Sequence, residues 1–201
     1  ISASGQDITL DESASTFGTL ALTGVNVAVT DAGATDLGAS TVSGTLGITS
    51  AGAVTDSGTL AVTGATTISA SGQDITLDES ASTFGTLALT GANVAVTDAG
   101  ATDLGASTVG GTLGITSAGA VTDSGTLAIT GATTISASGQ DITLDESAST
   151  FGTLALTGEN VAVTENAATD LGASTVGGTL GITSAGAVTD SGTLAITGAT
   201  T

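Results

Sequence analysis

Nineteen carboxylates are the only charged side chains in this chain, and their spacing is the one pattern in it that invites chemistry. Asp11, Asp31, Asp56, Asp78, Asp98, Asp123, Asp145, Glu165 and Asp190 follow one another in a cycle of three unequal steps, from Asp11 to Asp31, to Asp56 and to Asp78, which then repeats. If each sits at the same strand end in successive coils of a stacked structure, the nine form a row with about 4.8 Å between neighbours. Two unit charges at that distance repel by roughly 0.9 kcal/mol in bulk water, and no cation is present to relieve them. Such a row favours a divalent ion, and calcium, with its hard oxygen ligands and flexible geometry, is the natural candidate. The alternative is a solvated face whose charges point outward and are screened by salt. Neither an EF-hand loop nor a glycine-rich nonapeptide calcium repeat is present, so the calcium reading rests on spacing alone. Asp7, Glu12 and Asp36 recur once per repeat, too far apart to interact strongly.

The rest of the composition closes most other chemistry. There is no Lys, Arg, His, Cys, Met, Pro, Trp or Tyr, so neither a thiolate nor an imidazole is available as nucleophile, base or soft-metal ligand. Nucleic-acid binding needs Lys or Arg to neutralise phosphates, and a formal charge of −19 excludes it. Neighbouring carboxylates such as Asp11 and Glu12 fail as a glycosidase pair. Adjacent strand residues point to opposite faces, no aromatic platform accompanies them, and they recur throughout the chain. The chain reads as a non-enzyme without an assured cofactor.

The elements that must position these carboxylates come from repetition. The 201 residues are one 67-residue unit written three times, as residues 1–67, 68–134 and 135–201. The first two units differ at Val25/Ala92, Ser43/Gly110 and Val62/Ile129. The second and third differ at Ala92/Glu159, Asp98/Glu165, Ala99/Asn166 and Gly100/Ala167. Such repetition implies an array in which each unit packs on the next. The chain begins and stops in mid-pattern and reads as an excerpt of a longer array, with any secretion signal outside it.

Within a unit, apolar residues recur at period two among many Thr, Val and Gly, which favours strands over helices. The short alternating runs include Asp7–Asp11, Thr19–Thr23, Asn26–Thr30, Thr45–Thr49, Thr59–Thr63 and Thr66–Ala70. Strands this short are not stable as isolated hairpins. They predict a parallel β-solenoid, right-handed by the usual coiling of parallel connections, with roughly triangular coils of about 22 residues and three coils per unit. Thr19–Thr23, Thr45–Thr49 and Thr66–Ala70 would stack on one face, and Asn26–Thr30, Ala53–Asp56 and Asp74–Asp78 on a second. The third face would combine Asp36–Val42, Thr59–Thr63 and Ser82–Phe84. Leu20, Leu22, Val27, Val29, Leu46, Ile48, Leu60, Val62, Ile68, Ile75 and Leu77 would point inward, and Phe17, Phe84 and Phe151 would plug the core. The strands are too short, and aromatic girdles too absent, for an outer-membrane barrel, and no apolar run suits a membrane helix.

The pattern GTLALTG–NVAVTD, continued by LGASTVSGTLGITSAGAVTDSGTLAVTGATTISASGQDITL, resembles the repeats of bacterial surface proteins of the filamentous-haemagglutinin type and related β-strand-repeat adhesins. The resemblance covers the whole chain. It implies secretion, a right-handed parallel β-helix, and a role as a stalk or adhesive fibre at the cell surface. The acidic solenoid itself reads as a rod, stalk or filament shaft whose open ends and charge suit self-association into fibres or bundles. Alternative expectations are an adhesive face for a glycan or other surface and, further off, ice binding through outward threonines.

Overall fold

The computed structural model describes all residues, Ile1–Thr201. It contains strands and no helix, and every strand pairing is parallel. The chain is a β-solenoid, as the period-two pattern predicts. All eleven aliphatic residues expected to face inward are buried, and Phe84 and Phe151 are buried with them in one continuous core of 40 residues. Phe17 packs partly buried against the same core.

Coil length and coil number differ from the expectation. Ile8 pairs with Val27, Val27 with Leu46, Leu46 with Thr66 and Thr66 with Leu87, each pair one coil apart. The coil is therefore shorter than expected, with a spacing of about 19 residues, and one repeat unit fills three and a half coils rather than three. The segments of one unit show why. The chain visits Ile8–Leu10, 19–24, Val27–Asp31, 35–42, Leu46–Ser50, 54–62 and Thr66–Ser69, and each visit lands on the side opposite to the last. Seven visits, two per coil, make three and a half coils.

The strands of the first unit fall into three sheets. Two sheets of 12 strands run the length of the molecule, with a three-stranded sheet continuing one of them in the first unit. Several coils set one longer strand against two short ones, as Val27–Asp31 is followed by Thr35–Leu37 and Ser40–Val42. The strand Thr86–Gly91 makes this plain, because it pairs along its length with both Thr102–Leu104 and Ser107–Val109. There two short strands share one long neighbour, pairing with its two ends. Of the expected stacks, Leu46–Ser50 on Thr66–Ser69, Val54–Asp56 on Ile75–Leu77 and Ser40–Val42 on Leu60–Val62 form, displaced by at most a residue. Thr19–Leu20 pairs instead with Thr35–Leu37, and Val27–Asp31 with its neighbours Ile8–Leu10 and Leu46–Ser50.

An odd number of visits has a geometric consequence. Ile8–Leu10 lies in one large sheet, its equivalent Ile75–Leu77 in the other, and Ile142–Leu144 back in the first. Every position of the unit alternates sides along the rod. Stability comes from the ladder and the aliphatic stack together. Of 125 backbone hydrogen bonds, 65 lie outside the strands, and many of these also join one coil to the next, as in Gly44 N–H to Val25 O and Gly64 N–H to Gly44 O. The turns are stacked as tightly as the strands. A Cβ on Gly64 would sit 2.5 Å from the Gly44 carbonyl oxygen, and one on Gly58 would collide with the Ala39 nitrogen.

Candidate functional site

The nine carboxylates of the sequence pattern do not form one row. Asp31, Asp123 and Glu165 end strands of one large sheet, and Asp56, Asp98 and Asp190 end strands of the other. Because the unit changes sides, the series breaks into short groups that alternate between the faces. Asp11 and Asp31 form one group, Asp56, Asp78 and Asp98 the next, and Asp123, Asp145 and Glu165 a third; Asp190 lies beyond them. No three carboxylates come close enough to hold one metal ion.

Five members are buried: Asp31, Asp56, Asp98, Asp123 and Glu165. Asp11, Asp78, Asp145 and Asp190 are exposed. The division follows from strand parity except at Asp190, which has the parity of Asp56 and Asp123 but lies in the uncovered last coil. Asp31 is two residues past Val29 and four past Val27, so it points to the core side of its strand, whereas Asp11 follows inward Leu10 by one position.

Burying a carboxylate without a cation demands hydrogen-bond donors, and the turns supply them. Asp31 Oδ1 accepts the Gly33 N–H at 2.9 Å, and its Oδ2 lies 3.2 Å from the Thr35 hydroxyl. That hydroxyl is 3.0 Å from Ser50 Oγ, which in turn donates to Gly33 O. Asp98 repeats the arrangement with Gly100, Thr102 and Ser117. Burial pushes its carboxyl above the usual range, against the lowering effect of the Gly100 N–H, the Thr102 hydroxyl and the Phe84 N–H. Asp56 reaches one coil along and accepts the Asp78 N–H at 2.9 Å and the Glu79 N–H at 3.4 Å. Burial raises its pKa too, partly offset by those two backbone donors, and the charges of Asp78 and Glu79 add to the rise. Asp123 has the same partners in Asp145 and Glu146 and the same upward shift from burial.

Glu165, the third unit's substitute for aspartate, behaves differently. Its longer arm carries Oε1 to the Phe151 N–H at 2.9 Å, leaves Oε2 with no partner, and abandons Thr169 to Ser184 alone.

Two further ladders escaped the sequence reading. Asp7 Oδ1 accepts both the N–H and the side-chain amide of Asn26, and Asn26 Oδ1 accepts the N–H and hydroxyl of Thr45; the later units repeat this corner. On the outer faces, Asp36, Asp103 and Asp170 each accept hydroxyls from the coils on either side, such as Thr19 and Ser57 for Asp36. The hydroxyls of Ser191, Thr153 and Thr189 hold Asp170 below its ordinary pKa. The signal for both ladders lay in the separation of these partners, 17 to 21 positions along the chain. It becomes visible only once the coil length is set by the observed pairing.

The arrangement offers carboxylate acceptors and hydroxyls in lines. The one surface hollow, lined by Asp190, Ser191, Gly192, Thr193 and Leu194, lies at the last coil, and the equivalent residues in the earlier units are covered by the coil that follows.

Comparison with known families gives one match. Residues 24–90, 91–157 and 158–201 each fit a family described as repeats of unknown function (DUF5649). The chain belongs to this repeat family. Its first two matches each span one full repeat and begin 23 residues after the starts of units 1–67 and 68–134. None of the curated proteins and none of the solved structures matches the chain.

Proposed function

We propose that this chain is a segment of an extracellular rod, a spacer, stalk or filament shaft at a bacterial cell surface. The observation that carries the reading is that packing is the same at each unit boundary and no position along the rod is built as a singular site. Thr66 sits between Leu46 and Leu87, and Thr133 between Leu113 and Leu154, in the same register. The buried carboxylates serve the neighbouring turns of the rod itself. Each unit adds three and a half coils, about 17 Å of length, so the number of units sets the reach. The extracellular setting rests on the resemblance to haemagglutinin-type repeats and on the absence of every trypsin-type cleavage site. Net charge of one sign keeps rods soluble and apart. Calcium binding by the carboxylate series is read from thermal unfolding: a calcium-dependent rise in Tm supports it, and an unchanged Tm removes the ion from the reading.

Electron microscopy of intact cells with an antibody against the repeat unit tests the shaft. Labelled filaments a few nanometres wide support it, and label confined to a tip or to soluble secreted protein sinks it.

A second reading, a binding face for a glycan or another regular surface, is favoured by one observation. Outward hydroxyls of Thr30, Thr49, Ser69, Thr90 and Thr108 align in consecutive strands as one column. Replacing Thr49, Ser69 and Thr90 together by Val leaves the core untouched; undiminished adherence of the folded variant would discard this reading.

A further inference from the structure

The half-coil left over in each unit makes the number of units a setting for direction as well as for length. We propose that a unit can be gained or lost at any boundary without disturbing the packing, and that each such event turns everything beyond it by half a revolution about the rod axis. The inference does not depend on where the rod is located or on what it binds.

Compatibility at the boundary can be read residue by residue. Across the first boundary, residues 46–67 meet 68–91 through the pairs Thr66–Leu87, Val54–Ile75 and the bridge Ala61–Thr83. The Ser82 hydroxyl accepts the Leu60 N–H at 3.0 Å, and Asp56 receives the Asp78 N–H. Residues 135–158 are identical in sequence to 68–91. Excising residues 68–134 therefore sets 46–67 against a stretch that already has every partner it needs. The four positions that distinguish the third unit from the second, Glu159 and 165–167, all lie beyond that stretch.

The half turn follows from the sheet assignment. Thr49 lies in Leu46–Ser50 of one large sheet, its equivalent Thr116 lies in Leu113–Ser117 of the other, and Thr183 lies in Leu180–Ser184 of the first again. All three are exposed. The operation relating consecutive units is thus a two-fold screw with a rise of about 17 Å, and a given face repeats every seven coils, about 34 Å. An even change in unit number preserves the facing of whatever the rod carries at its far end. An odd change reverses it.

The chain has no cysteine, so labels can be placed at will. Three spin-labelled proteins decide the matter: the full chain with Thr49→Cys and Thr116→Cys, the full chain with Thr49→Cys and Thr183→Cys, and a variant lacking residues 68–134 with Thr49→Cys and Thr183→Cys. The full-chain Thr49–Thr183 pair is expected at roughly 34 Å, seven coils along one face. The other two proteins are expected to share one shorter distance. That distance is expected well above about 20 Å, because an axial rise of about 17 Å combines with backbones about 10 Å apart whose labels point away from each other. A full-chain Thr49–Thr116 distance of about 14 or 19 Å, a whole number of coils on one face, overturns the half turn. Loss of parallel-sheet circular dichroism in the shortened variant, with the full-chain distances intact, overturns the compatibility of the boundary.

Discussion

At the residue scale, the buried polar groups control how stability responds to conditions. Asp56, Asp98 and Asp123 are all raised above the ordinary carboxylate pKa by burial. A carboxyl with a raised folded-state pKa takes up its proton more readily in the folded chain than in the unfolded one. Below the unfolded value near 3.8 both states are protonated; as pH rises beyond it the unfolded chain ionises first and gains stability. Tm is therefore expected to fall as pH rises from about 4 through the raised values, then to level off. Asp98→Asn should flatten part of that slope. Asp98→Ala, by contrast, orphans the Gly100 N–H and should cost about 1–3 kcal/mol, read as a lower midpoint in denaturant. Thr66 and Thr133 point the other way. Each carries a fully buried hydroxyl with no partner, so Thr66→Val or Thr133→Val should hold stability or raise it by about 1 kcal/mol.

At the element scale, the inward residues were legible because the period of two decides which side chains face the core. Leu46, Ile48, Leu60 and Val62 are buried for that reason alone. Which sheet a strand joins was not legible, since both sheets bury the same alternation of apolar residues. The regular recurrence of carboxylates suggested one face, yet the step from Asp31 to Asp56 crosses from one sheet to the other. Turn chemistry is the information that alternation lacks. Gly125 approaches the chain of the coil below so closely that a Cβ would overlap the Ala106 nitrogen, while Gly72 has open space but a φ of +74°. Backbone cannot give way as a side-chain tip can, so Gly125→Ala should destabilise more than Gly72→Ala. The second change carries only the left-handed penalty of about 1–2 kcal/mol. A larger loss in Gly72→Ala by chemical denaturation would show that turn conformation, and not coil stacking, limits the fold.

At the scale of the whole molecule, a solenoid whose coils touch only their neighbours distributes stability along its length, and opening should start where a coil has a neighbour on one side only. The sequence supplies its own control, because residues 121–129 and 188–196 are the same nonapeptide, VTDSGTLAI. Intrinsic exchange rates are thus matched. In the second unit Val121 and Leu127 are fully buried beneath the next coil, whereas in this chain Val188 is 53% exposed. Hydrogen exchange followed by mass spectrometry should find 188–196 exchanging well before 121–129, with protection rising coil by coil toward the middle. Fusing a further copy of residues 68–134 after Thr201 should then carry the slow rate to 188–196, because the added unit supplies the carboxylate-seating turn and the strand that Ile142–Leu144 gives Val121–Asp123. Equal exchange in the two nonapeptides of the original chain would mean that the rod opens as one cooperative body, and its stability would then belong to the array rather than to each boundary.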